Sequence, residues 1–203
     1  MAAIATRENY FEAAFALLSS RGYGALKLAP VCEHLGVTTG SFYHYFKNWR
    51  DFTAQFLDHW LARSTTQLVE FVQRLDSPID QLDALLHFAV SLPHRAEAAI
   101  RVWSTVDAEV AAIQRAVDEQ RRQVVLAAAR QVFADDEEAL RHAQWGTYLL
   151  VGYQQLDAGE GDTAPLEWAL ARLLDEFARR RERQRTTGRT AAPAAATEAK
   201  RRE

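Results

Sequence analysis

The sequence predicts an all-α protein of about nine helices, a three-helix helix-turn-helix unit followed by a larger helical body. Three observations carry this. Apolar residues recur every three to four positions along most of the chain, and no segment sustains a period of two. Cap residues punctuate the stripes at regular intervals. Near the N-terminus, Leu35-Gly36-Val37 forms a tight glycine turn between two short amphipathic stretches.

The first helix spans about Thr6 to Ser20, with Tyr10, Phe11, Ala14, Phe15, Leu17 and Leu18 on one broad stripe and Gly22 and Gly24 closing it. The second runs from about Lys27 to His34 and turns Leu28, Val31, Cys32 and Leu35 inward; Pro30 falls early, where a missing N–H is tolerated. Gly36 makes the sharp turn with positive φ. The third helix is very short, capped by Thr38, and sends Phe42 and Phe46 back into the core. A helix of about two turns is marginal alone and needs that anchoring.

Asn48 caps a long fourth helix that reaches about Leu75, with Asp51 in its first turn and Phe52, Phe56, His59, Trp60 and Arg63 on one stripe. Ser77-Pro78-Ile79-Asp80 opens the fifth, which ends near Pro93. The sixth covers about His94 to Ser104 and the seventh about Asp107 to Phe133. Asp135-Asp136-Glu137-Glu138 reads as a favourable N-terminus for the eighth rather than a metal site. The eighth extends to about Leu156, and the ninth covers about Ala164 to Arg183. Thr186 to Glu203 is basic and Ala/Thr/Pro-rich without apolar periodicity, so a disordered tail is expected. The domains read as 1–47, 48–185 and the tail 186–203.

The outward edge of the third helix carries hydroxyls, tyrosines, a histidine and a lysine, which are donors suited to phosphates and base edges. Charge is distributed accordingly. The net charge of −3 divides into +2 over residues 1–50, −11 over 51–178 and +6 over 179–203. An acidic middle repels a polyanion, so contact with double-stranded DNA is expected at the N-terminal end.

Other chemistries find little support. A single cysteine, Cys32, excludes intramolecular disulfides and four-cysteine zinc sites. The six histidines form no pair at metal-ligand spacing along a helix. Ser91, Ser104 and Cys32 have no identifiable base, so no catalytic residue, metal or cofactor is expected. No signal peptide and no membrane-length apolar run are read, and a cytoplasmic protein is expected.

The order of elements resembles the TetR (tetracycline-repressor) family of bacterial transcriptional regulators, most strongly over Thr6 to Trp60. Gly22-Tyr23 and Leu35-Gly36-Val37-Thr38-Thr39-Gly40-Ser41-Phe42-Tyr43-His44-Tyr45-Phe46 are similar to that family's signature. Ala99-Ile100-Arg101-Val102-Trp103 followed by Val117-Asp118 is similar more weakly. The resemblance implies a homodimer formed through the eighth and ninth helices. It implies a pseudo-palindromic operator read by the third helix, and a small-molecule effector in the C-terminal body.

The expected DNA-contacting set is Lys27, Thr38, Thr39, Gly40, Ser41, Tyr43, His44, Tyr45 and Lys47. Within it Tyr43 and Lys47 are assigned to phosphate, and Thr39 and Ser41 to base edges. Three positions depart from the family pattern: Tyr45 stands where a histidine is common, Trp49 where a lysine is common, and Leu26-Lys27 where a hydroxyl residue is usual.

Any one of Phe56, Trp60, Trp103, Trp145 or Tyr148 is more often core filling than cavity lining. Together with His59, Arg63, His87 and Gln114 they suit an apolar effector pocket with a few polar anchors. By the resemblance the effector is mostly hydrophobic and uncharged or weakly acidic, and it releases a repressor from DNA. The alternative is an all-helical ligand-binding or scaffold protein with a vestigial helix-turn-helix.

Overall fold

The computed structural model describes residues 5–156 and 161–191. Helix α1 (Arg7–Arg21) opens on a capping box: Thr6 accepts from the Asn9 amide while the Asn9 side chain accepts from the Thr6 amide at 2.8 Å. It closes at Gly22. Helix α2 (Leu28–Leu35) follows Lys27, whose backbone is extended, and ends at Gly36, left-handed at φ 66°, ψ 31°. That conformation strains any residue with a Cβ, and it sets the bend into α3 (Thr39–Tyr45). The Asn48 side chain accepts from the Asp51 amide at 2.9 Å and starts α4 (Trp49–Leu61).

The helix begun at Trp49 continues through a π-helical stretch, Ala62–Thr66, into α5 (Gln67–Val72). The long fourth helix of the sequence reading is therefore one rod with a widened turn in its middle. Helix α6 (Pro78–Ser91) begins at its Ser77 cap with proline in the first turn. Helices α7 (His94–Ser104), α8 (Ala108–Ala129) and α9 (Asp136–Leu156) follow. The Asp135 carboxylate accepts from the Glu137 and Glu138 amides at the start of α9, so the acid cluster serves a helix N-terminus.

Helix α10 (Ala164–Ala191) runs eight residues past Arg183, the end expected from its apolar stripe. Good helix formers continue to Arg185, and the first proline after them is Pro193. The remainder of the expected tail, 192–203, lies outside the described residues.

Packing ties the N-terminal unit to the body. Tyr10, Phe11, Phe42, Phe46, Phe52 and Phe56 form a nest of rings 5.0–6.2 Å apart, largely edge-on or tilted. The same buried cluster continues through Trp60 into Ala96, Ala99, Ile100 and Trp103 of α7. The head thus shares its core with α4 and α7. Three smaller apolar clusters join α5, α6, α8, α9 and α10. No helix among the described residues is long and apolar enough to cross a membrane.

Candidate nucleic-acid interface and the cavity behind it

Helix α3 is built from opposite edges. Phe42 and Phe46 are fully buried against Tyr10 and Phe52, which fixes the orientation of the other edge. On that edge Thr38, Thr39, Gly40 and His44 are exposed, and Tyr43 is 56% exposed. Lys27 and Lys47 flank it, both exposed. The Thr38 side chain accepts from the Ser41 amide at 3.4 Å, so it caps the helix it also displays. Replacing Thr38 by alanine should cost about 1 kcal/mol of stability, checked by urea denaturation, with the α3 amides exchanging faster.

Two members of the expected set are partly engaged inside the protein. The Tyr10 hydroxyl donates to the Ser41 hydroxyl at 3.0 Å, and burial pushes the Tyr10 phenol up from its ordinary pKa. Ser41 is half-buried and keeps its own proton to donate. Tyr45 is also half-buried, its ring 5.7 Å from that of Tyr10 and its carbonyl accepting from Arg7 at 3.2 Å. Trp49 packs on Phe42 and Phe52, so the residue standing in place of the usual lysine extends the ring nest. The Lys47 amide donates to Asp51 at 2.9 Å, which fixes the α3–α4 corner.

Behind the head, α6, α8, α9 and α10 line a partly open cavity of about 100 Å³ walled by Leu82, Leu86, Val125, Leu150, Leu170 and Leu174. None of the nine expected pocket residues lines it. Phe56, Trp60 and Trp103 are buried in the core shared with the head, Trp103 stacked on Tyr23 at 5.2 Å. His59 lies 4.9 Å from the Phe11 ring, and burial holds its imidazole below the ordinary histidine value. Arg63 borders a separate open groove with Glu12, Phe15 and Phe88. His87 is exposed and 3.6 Å from Asp83. Gln114 is buried but donates to Asp118 at 3.2 Å, outside the lining. Trp145 and Tyr148 are exposed on α9. The aromatic stripes of α4 and α7 face the head, which leaves the cavity wall mainly aliphatic.

Sequence reasoning missed the charged residues at the cavity edge. Arg101 donates both terminal nitrogens to Asp118 at 2.8 Å each. Arg121 donates to Glu97 at 2.7 and 2.8 Å, and Glu97 also accepts from Trp60 at 3.1 Å and Gln154 at 3.1 Å. Glu97 is only 2% exposed. Burial by itself would push its carboxyl up, but the charge and hydrogen bonds of Arg121, with those of Trp60 and Gln154, hold it below the ordinary value. One bridge therefore joins α4, α7, α8 and α9. Its signal was spacing: Glu97 and Arg101 are four apart on α7, and Gln114, Asp118 and Arg121 share one face of α8.

Residues 11–53, from the middle of α1 to the start of α4, match the family described as bacterial regulatory proteins, tetR family. Over those residues the chain is similar to that family. The all-helical architecture is TetR-like over most of the chain. A transcriptional regulator from Rhodococcus sp. Rha1 is 22% identical with a TM-score of 0.69, covering 85% of this chain and 96% of that one. A TetR transcription regulator from Haloarcula marismortui is 21% identical with a TM-score of 0.67, covering 84% and 95%. FadR from Bacillus subtilis, solved with stearoyl-CoA, is 13% identical with a TM-score of 0.63, covering 85% and 97%. No curated protein matches the chain. Helix α7 gives Ala96, Ala99, Ile100 and Trp103 to the core shared with the N-terminal unit and Arg101 to the cavity edge.

Proposed function

We propose that the protein is a homodimeric repressor that reads a pseudo-palindromic operator with its two α3 helices and is released by a small molecule held in the cavity. The observation that carries the coupling is α7. One side of this helix supplies Ala96, Ile100 and Trp103 to the core of the head. Another supplies Arg101, which pairs with Asp118 at the cavity edge, and Glu97, which pairs with Arg121 behind it. A ligand that alters the bridge displaces a helix on which the head is packed, and α4 follows through Trp60. The effect requires tighter binding to the DNA-incompetent arrangement, by about 1–3 kcal/mol. FadR, a protein of similar fold, was solved with a small-molecule ligand, stearoyl-CoA, which supports the same reading here.

Dimerisation is assigned to α9 and α10. These helices expose Leu140, Trp145, Tyr148, Leu156 and Trp168, a concentration of large apolar side chains that fits a second copy. The two heads would then enter successive major grooves about one helical turn, ~34–36 Å, apart.

On DNA, Tyr43, Lys27 and Lys47 contact phosphate, and Thr39 contacts a base edge. Ser41 donates from the hydroxyl oriented by Tyr10. Titration against the chain's own upstream DNA at two salt concentrations tests the assignment. Lys47→Ala should lower the salt slope by about 1, and Tyr43→Ala should weaken all sites alike. Thr39→Ala should relax preference at one base pair, worth about 1–3 kcal/mol. Absence of salt-sensitive, sequence-preferring binding would favour a scaffold with a vestigial head.

A further inference from the structure

The cavity has a wall and a corner of different chemistry. The wall is mainly aliphatic with Phe88 and Phe177, and the corner is formed by Arg101, Asp118 and Arg121. Two guanidinium groups and one carboxylate thus line it. Glu97, the partner of Arg121, does not line the cavity; its four hydrogen bonds go to Arg121, Trp60 and Gln154. The buried Nε of Arg101 has no acceptor. The buried amide oxygens without a donor belong to Gln114 and Gln154, neither of which lines the cavity.

We propose that the effector is an anionic amphiphile, an apolar chain ending in one carboxylate that is taken by Arg101 and Arg121 in competition with Asp118. The proposal rests on reading the cavity as the effector site. A cationic head would meet two guanidinium groups, and the single carboxylate there is already held by Arg101 through both oxygens. An uncharged head gains no ion pairing and lacks the two oxygens with which a carboxylate meets a guanidinium fork.

Exchange is feasible because the Asp118 side chain is 30% exposed and can turn toward water, leaving Arg101 paired with the incoming anion. The exchange has a structural consequence. Arg101 and Asp118 join α7 to α8, and a ligand carboxylate that takes the place of Asp118 unfastens that joint on the helix that carries the head.

The experiment is calorimetric titration of the full-length protein with pentanoate, pentanol and pentylamine, which share one chain short enough for the cavity and differ in the head. Pentanoate should bind at least about tenfold more tightly than pentanol, with pentylamine weakest. Arg101→Gln should remove the preference for the acid while leaving pentanol binding in place, and Arg101→Lys should keep the order. Leu170→Trp, which fills the cavity, should abolish binding of all three. Equal affinity for acid and alcohol, or tightest binding of the amine, overturns the anionic assignment and leaves the cavity reading intact. No binding of any probe, or binding indifferent to Leu170→Trp, overturns both.

Discussion

Replacing Arg121 by methionine should destabilise the fold by about 3–5 kcal/mol at neutral pH, the cost of leaving a buried charge without its partner. Glu97 has almost no contact with solvent, and both of its oxygens accept from Arg121. Trp60 and Gln154 would remain as neutral donors, too weak to hold a buried carboxylate ionised. In the native protein the folded pKa of Glu97 lies below its unfolded value. Its contribution to stability is therefore full above the unfolded carboxylate range and is lost as pH falls through the folded value.

In Arg121→Met the sign reverses. Burial alone then raises the folded pKa above the unfolded one, and the variant should regain stability as pH falls toward and below that raised value. Urea denaturation at a series of pH values checks both parts. The double variant Glu97→Gln/Arg121→Met should recover much of the loss, because no charge is left buried. A single variant whose stability changes with pH as the native protein's does would refute this account of the bridge.

The second large effect concerns the exposed apolar face of α9 and α10. Trp168 is 68% exposed and Tyr148 66% exposed in the single chain. Charging both, as Tyr148→Glu and Trp168→Glu together, should cost little in a monomer, since neither side chain is buried there. Against a second copy it places carboxylates in an apolar interface. The variant should elute as a monomer at concentrations where the native protein is a dimer. Its operator affinity should fall by about 10²–10⁴-fold, since the second head no longer benefits from a high effective concentration. Sedimentation and a DNA titration measure the two losses, which should appear together. A variant that stays dimeric would move the interface elsewhere.

Much of the architecture can be read from side-chain chemistry within a few residues. Thr6, Thr38, Asn48, Ser77 and Asp107 each start a helix because each oxygen reaches an amide two or three positions on. Gly36 is equally local, since only its own backbone has to be left-handed. The exposed edge of α3 is legible for the same reason: the positions of Phe42 and Phe46 dictate where Tyr43 and Thr39 must point.

The cavity is not local. The aromatic stripe of α4 indicated an apolar face but not which neighbour that face would meet, and the head claims it. Arg101–Asp118 and Glu97–Arg121 span seventeen and twenty-four positions, so the pairing depends on how α7 lies across α8. The widened turn at Ala62–Thr66 has no residue that announces it.

The continuous core from Tyr10 through Trp60 to Trp103 has a mechanical meaning. A close-packed interior resists bending at an internal neck. If two copies join at α9 and α10, each protomer behaves as a stiff lever pivoting there, and a slight tilt at the fulcrum becomes a larger sweep at the tip. The span between tips would then report on that pivot rather than on any limp connection behind the reading helices.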